Sequence, residues 1–104
     1  MYLPSAVTKQ PQIDAVVDQV KGELAGEVVQ IRYSIDTDWS GDWAIFFRIV
    51  LTDNAARGKR LKTTPSKIRD SLLEKLKPLE LGLFPYFNFR SRSEQAALRE
   101  EAWA

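Results

Sequence analysis

The sequence predicts an α+β domain in the order α-β-β-α-β-α, a small sheet with a β-hairpin packed by helices. Three observations lead there. Apolar residues recur at three- and four-residue spacing in two stretches; they alternate or run unbroken in three others; and Gly, Pro, Asp and Ser gather at the breaks between them. At 104 residues the chain is long enough for one modest core and too short for two, so residues 1–104 are read as a single domain.

The elements follow in order. Residues 1–11 read as a flexible amino-terminal segment. From Gln12 to Leu24, Ile13, Val16, Val17, Val20 and Leu24 form one helical stripe, which Gly22 and Gly26 are expected to close. In "EVVQIRYSI", Val29, Ile31, Tyr33 and Ile35 alternate with Gln30, Arg32 and Ser34, the pattern of a half-buried strand. "WAIFFRIVLT" is apolar on both parities, with Trp43, Ile45, Phe47, Ile49 and Leu51 on one face and Phe46, Arg48 and Val50 on the other. That is a central strand covered on part of both faces. Thr64 and Pro65 predict a helix start, Ile68, Leu72, Leu73 and Leu76 its buried stripe, and Pro78 its end. "LFPYFNFR" is a third strand that Pro85 assigns to a sheet edge, with Phe87 and Phe89 opposed to Tyr86, Asn88 and Arg90. Ser91 and Glu94 have capping-box spacing and predict a last helix running through Trp103.

Composition narrows the chemistry. The chain has no cysteine and no histidine, which removes thiolate nucleophiles, zinc-thiolate sites, the commonest general base and the commonest metal ligand. No enzyme activity, cofactor or metal is expected. The amino terminus lacks a basic region followed by an apolar core, and no apolar run has the length of a membrane span, so the expected location is cytoplasmic.

The net charge of +1 is unevenly placed. Residues 1–53 carry eight acids and four bases, residues 54–104 six acids and eleven bases. The segment Asn54 to Arg69 has six bases and no acid, and reads either as a solvated loop leading into a helix or as a contact for phosphate or an acidic partner. Its Arg57, Lys59, Arg60 and Lys62 are candidate nucleic-acid contacts.

The stretch "DTDWSGDW" places Asp36, Asp38 and Asp42 within seven residues. Asp36, Asp38, Ser40 and Gly41 match the opening positions of an EF-hand loop, but the position of its bidentate glutamate is Phe47. The preferred reading is a hairpin turn, with Gly41 supplying positive φ and Asp and Ser bonding nearby backbone; a weak cation site is the alternative. Trp43 continues the core parity. Trp39 lies in the turn, where its ring either folds back over the sheet or meets a partner.

If the three strands are neighbours, Arg32, Arg48 and Arg90 share a face with Phe46 and Tyr86, the arrangement of a single-stranded nucleic-acid platform. Against this, the last helix, through Ala97, Leu98, Ala102 and Trp103, is able to cover the same face while Glu94, Glu100 or Glu101 pairs the arginines. Cover by that helix or by another protein is favoured, because no RNA-binding signature is present and the total charge is balanced.

The segments "DWSGDWAIFFRIVLTD" and "LGLFPYFNFRSRSEQAALREEAWA" resemble small bacterial proteins of similar length that end in a "YFNFRS-SEQ-AWA" pattern, and the resemblance covers most of the chain after Val28. Members of that group accompany a small helical protein similar to the HEPN class, which includes toxin-like ribonucleases. The resemblance implies a partner protein encoded by a neighbouring gene and an antitoxin-like role, with no catalytic residue to carry over. The sequence departs from well-known antitoxins in having no evident helix-turn-helix, ribbon-helix-helix or disordered neutralising tail.

The expected function is therefore that of a non-catalytic interaction protein that binds and restrains a cognate partner, with Trp39, Tyr86, Phe89, Arg90, Arg92 and Trp103 as its contact residues. The alternative is an RNA or single-stranded nucleic-acid-binding module using Arg32, Phe46, Arg48 and the basic segment. A homodimer is compatible with either.

Overall fold

Three strands in the order β1-β2-β3 form the sheet of the computed structural model, which describes residues 9–103. The described chain runs α1 (Gln10–Glu23), β1 (Val28–Thr37), β2 (Trp43–Leu51), α2 (Arg60–Leu76), a 3-10 turn (Pro78–Leu81), β3 (Phe84–Ser91), α3 (Arg92–Leu98) and a second 3-10 turn (Glu101–Trp103). This is the predicted α+β order. No helix among the described residues is long and apolar enough to cross a membrane.

β1 and β2 are antiparallel partners across the hairpin, while β3 returns through α2 to lie parallel to β2. A parallel pair needs a crossover of about a dozen residues or more, and α2 supplies it. β2 is thus central and β3 an edge, where Pro85 costs the ladder little. The core lies between one sheet face and the two long helices. Ile13, Val17 and Val20 of α1 and Ile68, Leu72 and Leu76 of α2 meet Ile31, Ile45, Phe47, Ile49 and Leu51, with Phe87 stacked on Phe47 at 5.1 Å and Trp43 half-buried at the margin.

Several boundaries differ from the sequence reading. Of the segment read as flexible, residues 1–8 lie outside the described residues, whereas Gln10 and Pro11 belong to α1, with the proline in the first turn where no N–H is needed. Glycine does not close α1: Gly22 lies inside it, and Leu24 ends it by donating its N–H to the Val20 carbonyl at 3.1 Å. Val29 does not continue the core parity, because a bulge between Val28 and Gln30 inserts one residue and gives Val28 the buried place.

α2 begins at Arg60 and contains Pro65. Turns bonded at Asn54–Arg57, Arg57–Arg60 and Gly58–Leu61 wind the chain into the helix early, so Thr64 is the first member of the buried stripe rather than its cap. Pro65 then leaves only the Leu61 carbonyl without its helical donor. The predicted capping box is present: Ser91 accepts from the Glu94 N–H, and Glu94 accepts from that of Ser91. The last helix does not reach Trp103, because Arg99 turns left-handed at φ 53° and a 3-10 turn follows.

Candidate interaction face

The sheet face away from α1 and α2 carries the residues of even number on β1 from Gln30 onward and on β2 and β3, and it divides into three zones. At the hairpin end, Asp38 organises the turn. Its Oδ1 accepts from the Ser40 N–H (2.9 Å), the Ser40 hydroxyl (2.6 Å) and the Asp42 N–H (3.1 Å), while the Asp38 N–H donates to the Asp42 carbonyl at 2.8 Å. Gly41 has φ 87°, which closes the turn as the sequence suggested. The Tyr86 hydroxyl donates to Asp38 Oδ2 at 2.8 Å and ties the turn to β3. These donors, Ser40 before Tyr86, hold the Asp38 carboxyl below the usual carboxylate range, and Asp38 in turn pushes the Tyr86 phenol up. Both Asp38 oxygens are therefore engaged, Oδ1 within the hairpin and Oδ2 by Tyr86 of β3. No group of three or more potential metal ligands exists among the described residues.

Aromatic rings follow from this anchor. Tyr86 stacks on its ladder partner Phe46 at 5.2 Å and 11°, and Phe84 tilts against Tyr86 at 5.4 Å. Phe84 remains 54% exposed, and Trp39, in the turn held by Asp38, is 90% exposed. Between the two fates open to Trp39, the ring does not fold back onto the sheet.

The opposite end of the face is closed by the chain itself. Trp103 is 7% exposed, and the Arg90 guanidinium lies over its ring at 4.2 Å while bonding Glu100 (2.9 Å) and Gln95 (3.2 Å). Val50, opposite Arg90, is buried there. Cover by the carboxy-terminal segment thus occurs, but through the 3-10 turn: Ala97 and Leu98 are exposed, and the Ala102 side chain lies outside the described residues. Ser93 clamps the start of α3 to the end of β2, donating from its N–H and hydroxyl to Asp53 at 3.0 and 2.6 Å.

The middle zone holds Arg32 and Arg48, which face each other across β1 and β2. Arg48 turns to the Ser34 hydroxyl at 2.8 Å; the Arg32 side chain is exposed and has no hydrogen-bond or ion-pair partner among the described residues.

The candidate contacts accordingly fall into separate places. Trp39 and Tyr86 share the hairpin end with Phe46. Arg90 and Trp103 engage each other, Arg92 is exposed on α3, and Phe89 faces the core rather than the open face. The basic segment does not join Arg32 and Arg48. Arg60 and Lys67 lie 3.7 and 2.8 Å from the Glu27 carboxylate, Arg57 sits beside Asp53, and Lys59 and Lys62 are exposed at the start of α2. Sequence reading missed Phe84, Ser34 and the Asp14 to Tyr33 bond of 2.6 Å, whose phenol is pushed up by burial and then by that carboxylate. The even parity of Phe84 with Tyr86 was the available signal for the first.

No protein-family model matches the chain, and neither a curated protein nor a solved structure matches it.

Proposed function

We propose that this is a non-catalytic interaction protein that binds and restrains a cognate protein, and that the hairpin end of its open sheet face is the contact surface. The observation that carries the reading is Trp39, 90% exposed on a turn that Asp38 and Tyr86 hold in place, with Phe84 exposed nearby. A large ring on a rigid support gives up little conformational entropy on binding, and tryptophan is enriched among the residues that dominate interface energies. Arg92, exposed on α3, and the Arg90–Trp103 pair lie toward the far end, so they support the face rather than lead the contact. The antitoxin-like part of this reading, and the identification of the partner with the product of a neighbouring gene, rest on the resemblance of "YFNFRSRSEQ" and its flanks alone.

A nucleic-acid reading draws on the Phe46–Tyr86 stack and on Arg32 and Arg48. Charge weighs against it: Asp38 and Asp42 border the stack, Arg90 is paired with Glu100, and Arg60 and Lys67 of the basic segment are drawn to Glu27 instead.

The test is co-expression with the neighbouring gene's product, followed by titration of the purified pair. Trp39→Ala is expected to leave the melting temperature unchanged and weaken the complex at least ~10-fold, the loss of one hot-spot ring. Unchanged affinity, or binding of a single-stranded RNA oligonucleotide that Trp39→Ala and Phe84→Ala abolish, overturns the protein-partner reading.

A further inference from the structure

Beyond its bulge at Val28–Gln30, the edge strand β1 has no strand on its outer side among the described residues. It spans ten residues without proline or glycine, whereas the β3 edge has Pro85 as its second residue and continues directly into α3. A groove of about 580 Å³ lies beside it, lined by Ile31 and Tyr33 along the strand, Asp14 and Asp18 of α1, Arg32 and Arg48, and Glu101 of the carboxy-terminal turn, none of whose carboxylates comes within ion-pair distance of Arg32.

The hydrogen-bond phase of the hairpin fixes which backbone groups point outward. Asp38 donates to Asp42 across the turn, and bonded pairs alternate along an antiparallel ladder. In the observed register this makes Asp36–Ala44, Ser34–Phe46 and Arg32–Arg48 the bonded pairs, so the N–H and C=O groups of Ile31, Tyr33, Ile35 and Thr37 face away from β2. Thr37 shows it, since its N–H is met from the side by Asp36 Oδ1 at 2.7 Å.

Arg32 supplies the second observation. It stands opposite a like charge, Arg48, which has turned to Ser34, and it finds no carboxylate within the domain's described residues. Like charges directly opposed are unfavourable, so an incoming strand that offers an acid at this level is favoured.

We propose that the occupant is β1 of a second copy of this chain, antiparallel about a two-fold axis at Ser34, which joins two sheets into one of six strands. In this register the outward groups of Tyr33 pair with those of Ile35 of the second copy, and the Ile31 N–H donates to the carbonyl of its Thr37, whose own N–H stays on Asp36. Arg32 stands opposite Asp36 of the second copy at a non-hydrogen-bonded pair, where side chains approach closest, and the symmetry repeats the contact. A two-fold at Arg32 would oppose two arginines, and one at Tyr33 would leave Arg32 opposite serine. One at Ile35 would oppose Arg32 to Asp38, whose two oxygens are already taken by Ser40, Asp42 and Tyr86, so charge and the free oxygen of Asp36 together select the Ser34 axis. Because Asp36 uses one oxygen on Thr37, its second oxygen is available to the guanidinium. This contact uses an edge distinct from the hairpin-end face, so it holds or fails independently of that reading.

The test is sedimentation of the full chain from micromolar to millimolar concentration, with residue-resolved amide exchange at both limits. The wild type is expected to dimerise reversibly, and the amides of Ile31, Tyr33 and Ile35 to gain protection with concentration while those of Arg32 and Ser34 stay protected throughout. Arg32→Asp and Asp36→Arg should each weaken self-association roughly tenfold or more, because two attractive pairs become repulsive. An equimolar mixture of the two variants should form a heterodimer, and the double exchange in one chain should restore the homodimer; both outcomes also control for misfolding. A chain that stays monomeric at millimolar concentration overturns the proposal. So does a dimer indifferent to both reversals, or one whose Ile31, Tyr33 and Ile35 amides exchange as in the monomer.

Discussion

Trp103→Ala tests whether the carboxy-terminal turn is part of the domain. The ring is 7% exposed and lies under the Arg90 guanidinium at 4.2 Å. An aromatic side chain removes ~150–250 Å² from water, which at about 25 cal/mol per Å² is ~4–6 kcal/mol as an upper bound. The cation–π contact adds ~0.5–1 kcal/mol at a partly solvated site. Opposing these, the turn Glu101–Trp103 is freed when its ring is lost, and each residue regains ~1–2 kcal/mol of backbone entropy. With about 4 kcal/mol returned, the net destabilisation is ~2 kcal/mol, or a fall in melting temperature of ~8–15 °C for a domain of this size. Thermal and urea unfolding followed by circular dichroism measure it. Arg90→Met, which keeps the aliphatic stem over the ring, should lose only a fraction of that amount. A Trp103→Ala melting temperature within ~2 °C of wild type would refute the docked turn and free Trp103 for a partner.

Two further outcomes follow from the hairpin. The Asp38 carboxyl is held low by Ser40 and then Tyr86, so its contribution is present above the unfolded-state value of ~3.9 and is lost as pH falls through the lower folded value. The difference in melting temperature between wild type and Asp38→Asn should therefore be constant above about pH 5 and narrow on acidification below it; a gap that does not change with pH contradicts the assignment. Gly41→Ala adds a Cβ that meets nothing within 4 Å, so its cost is that of φ 87° alone, ~1–2 kcal/mol in urea unfolding. Gly26→Ala, equally open and without positive φ, is the control, and equal costs at both sites would remove the conformational account.

What the sequence made legible was local. The α1 and α2 stripes, the hairpin turn with Gly41, the capping box and the edge position of Pro85 each depend on residues within a turn or two of one another, where spacing carries the signal. What it hid depends on distant contacts. Val28 and Val29 are equally apolar, so nothing in their pattern says that the bulge gives Val28 the core. Thr64-Pro65 has the chemistry of a helix start, but Thr64 is drawn into the stripe of Ile68 and Leu72, and α2 is already wound when it arrives. Arg99 interrupts the last helix with no glycine to mark it, because the gain lies in bringing Trp103 onto Arg90.

The same limit applies to the face. Parity alone groups Arg32, Arg48 and Arg90 as one patch, and the strands do place them on one face, yet their neighbours give them different work. Arg90 holds the carboxy-terminal turn, Arg48 is satisfied by Ser34, and the Arg32 side chain has no partner among the described residues. In a dimer paired through β1, a two-fold axis perpendicular to the sheet keeps both open faces on one side. Each Trp39 then lies five residues beyond the axis, in opposite directions, which at about 3.3 Å per residue separates the two tips by ~33 Å along the strands. Such a dimer is bivalent. A partner that is itself two-fold symmetric gains avidity from engaging both tips, whereas a monomeric partner does not, so the stoichiometry of the complex carries information that the affinity of a single tip lacks.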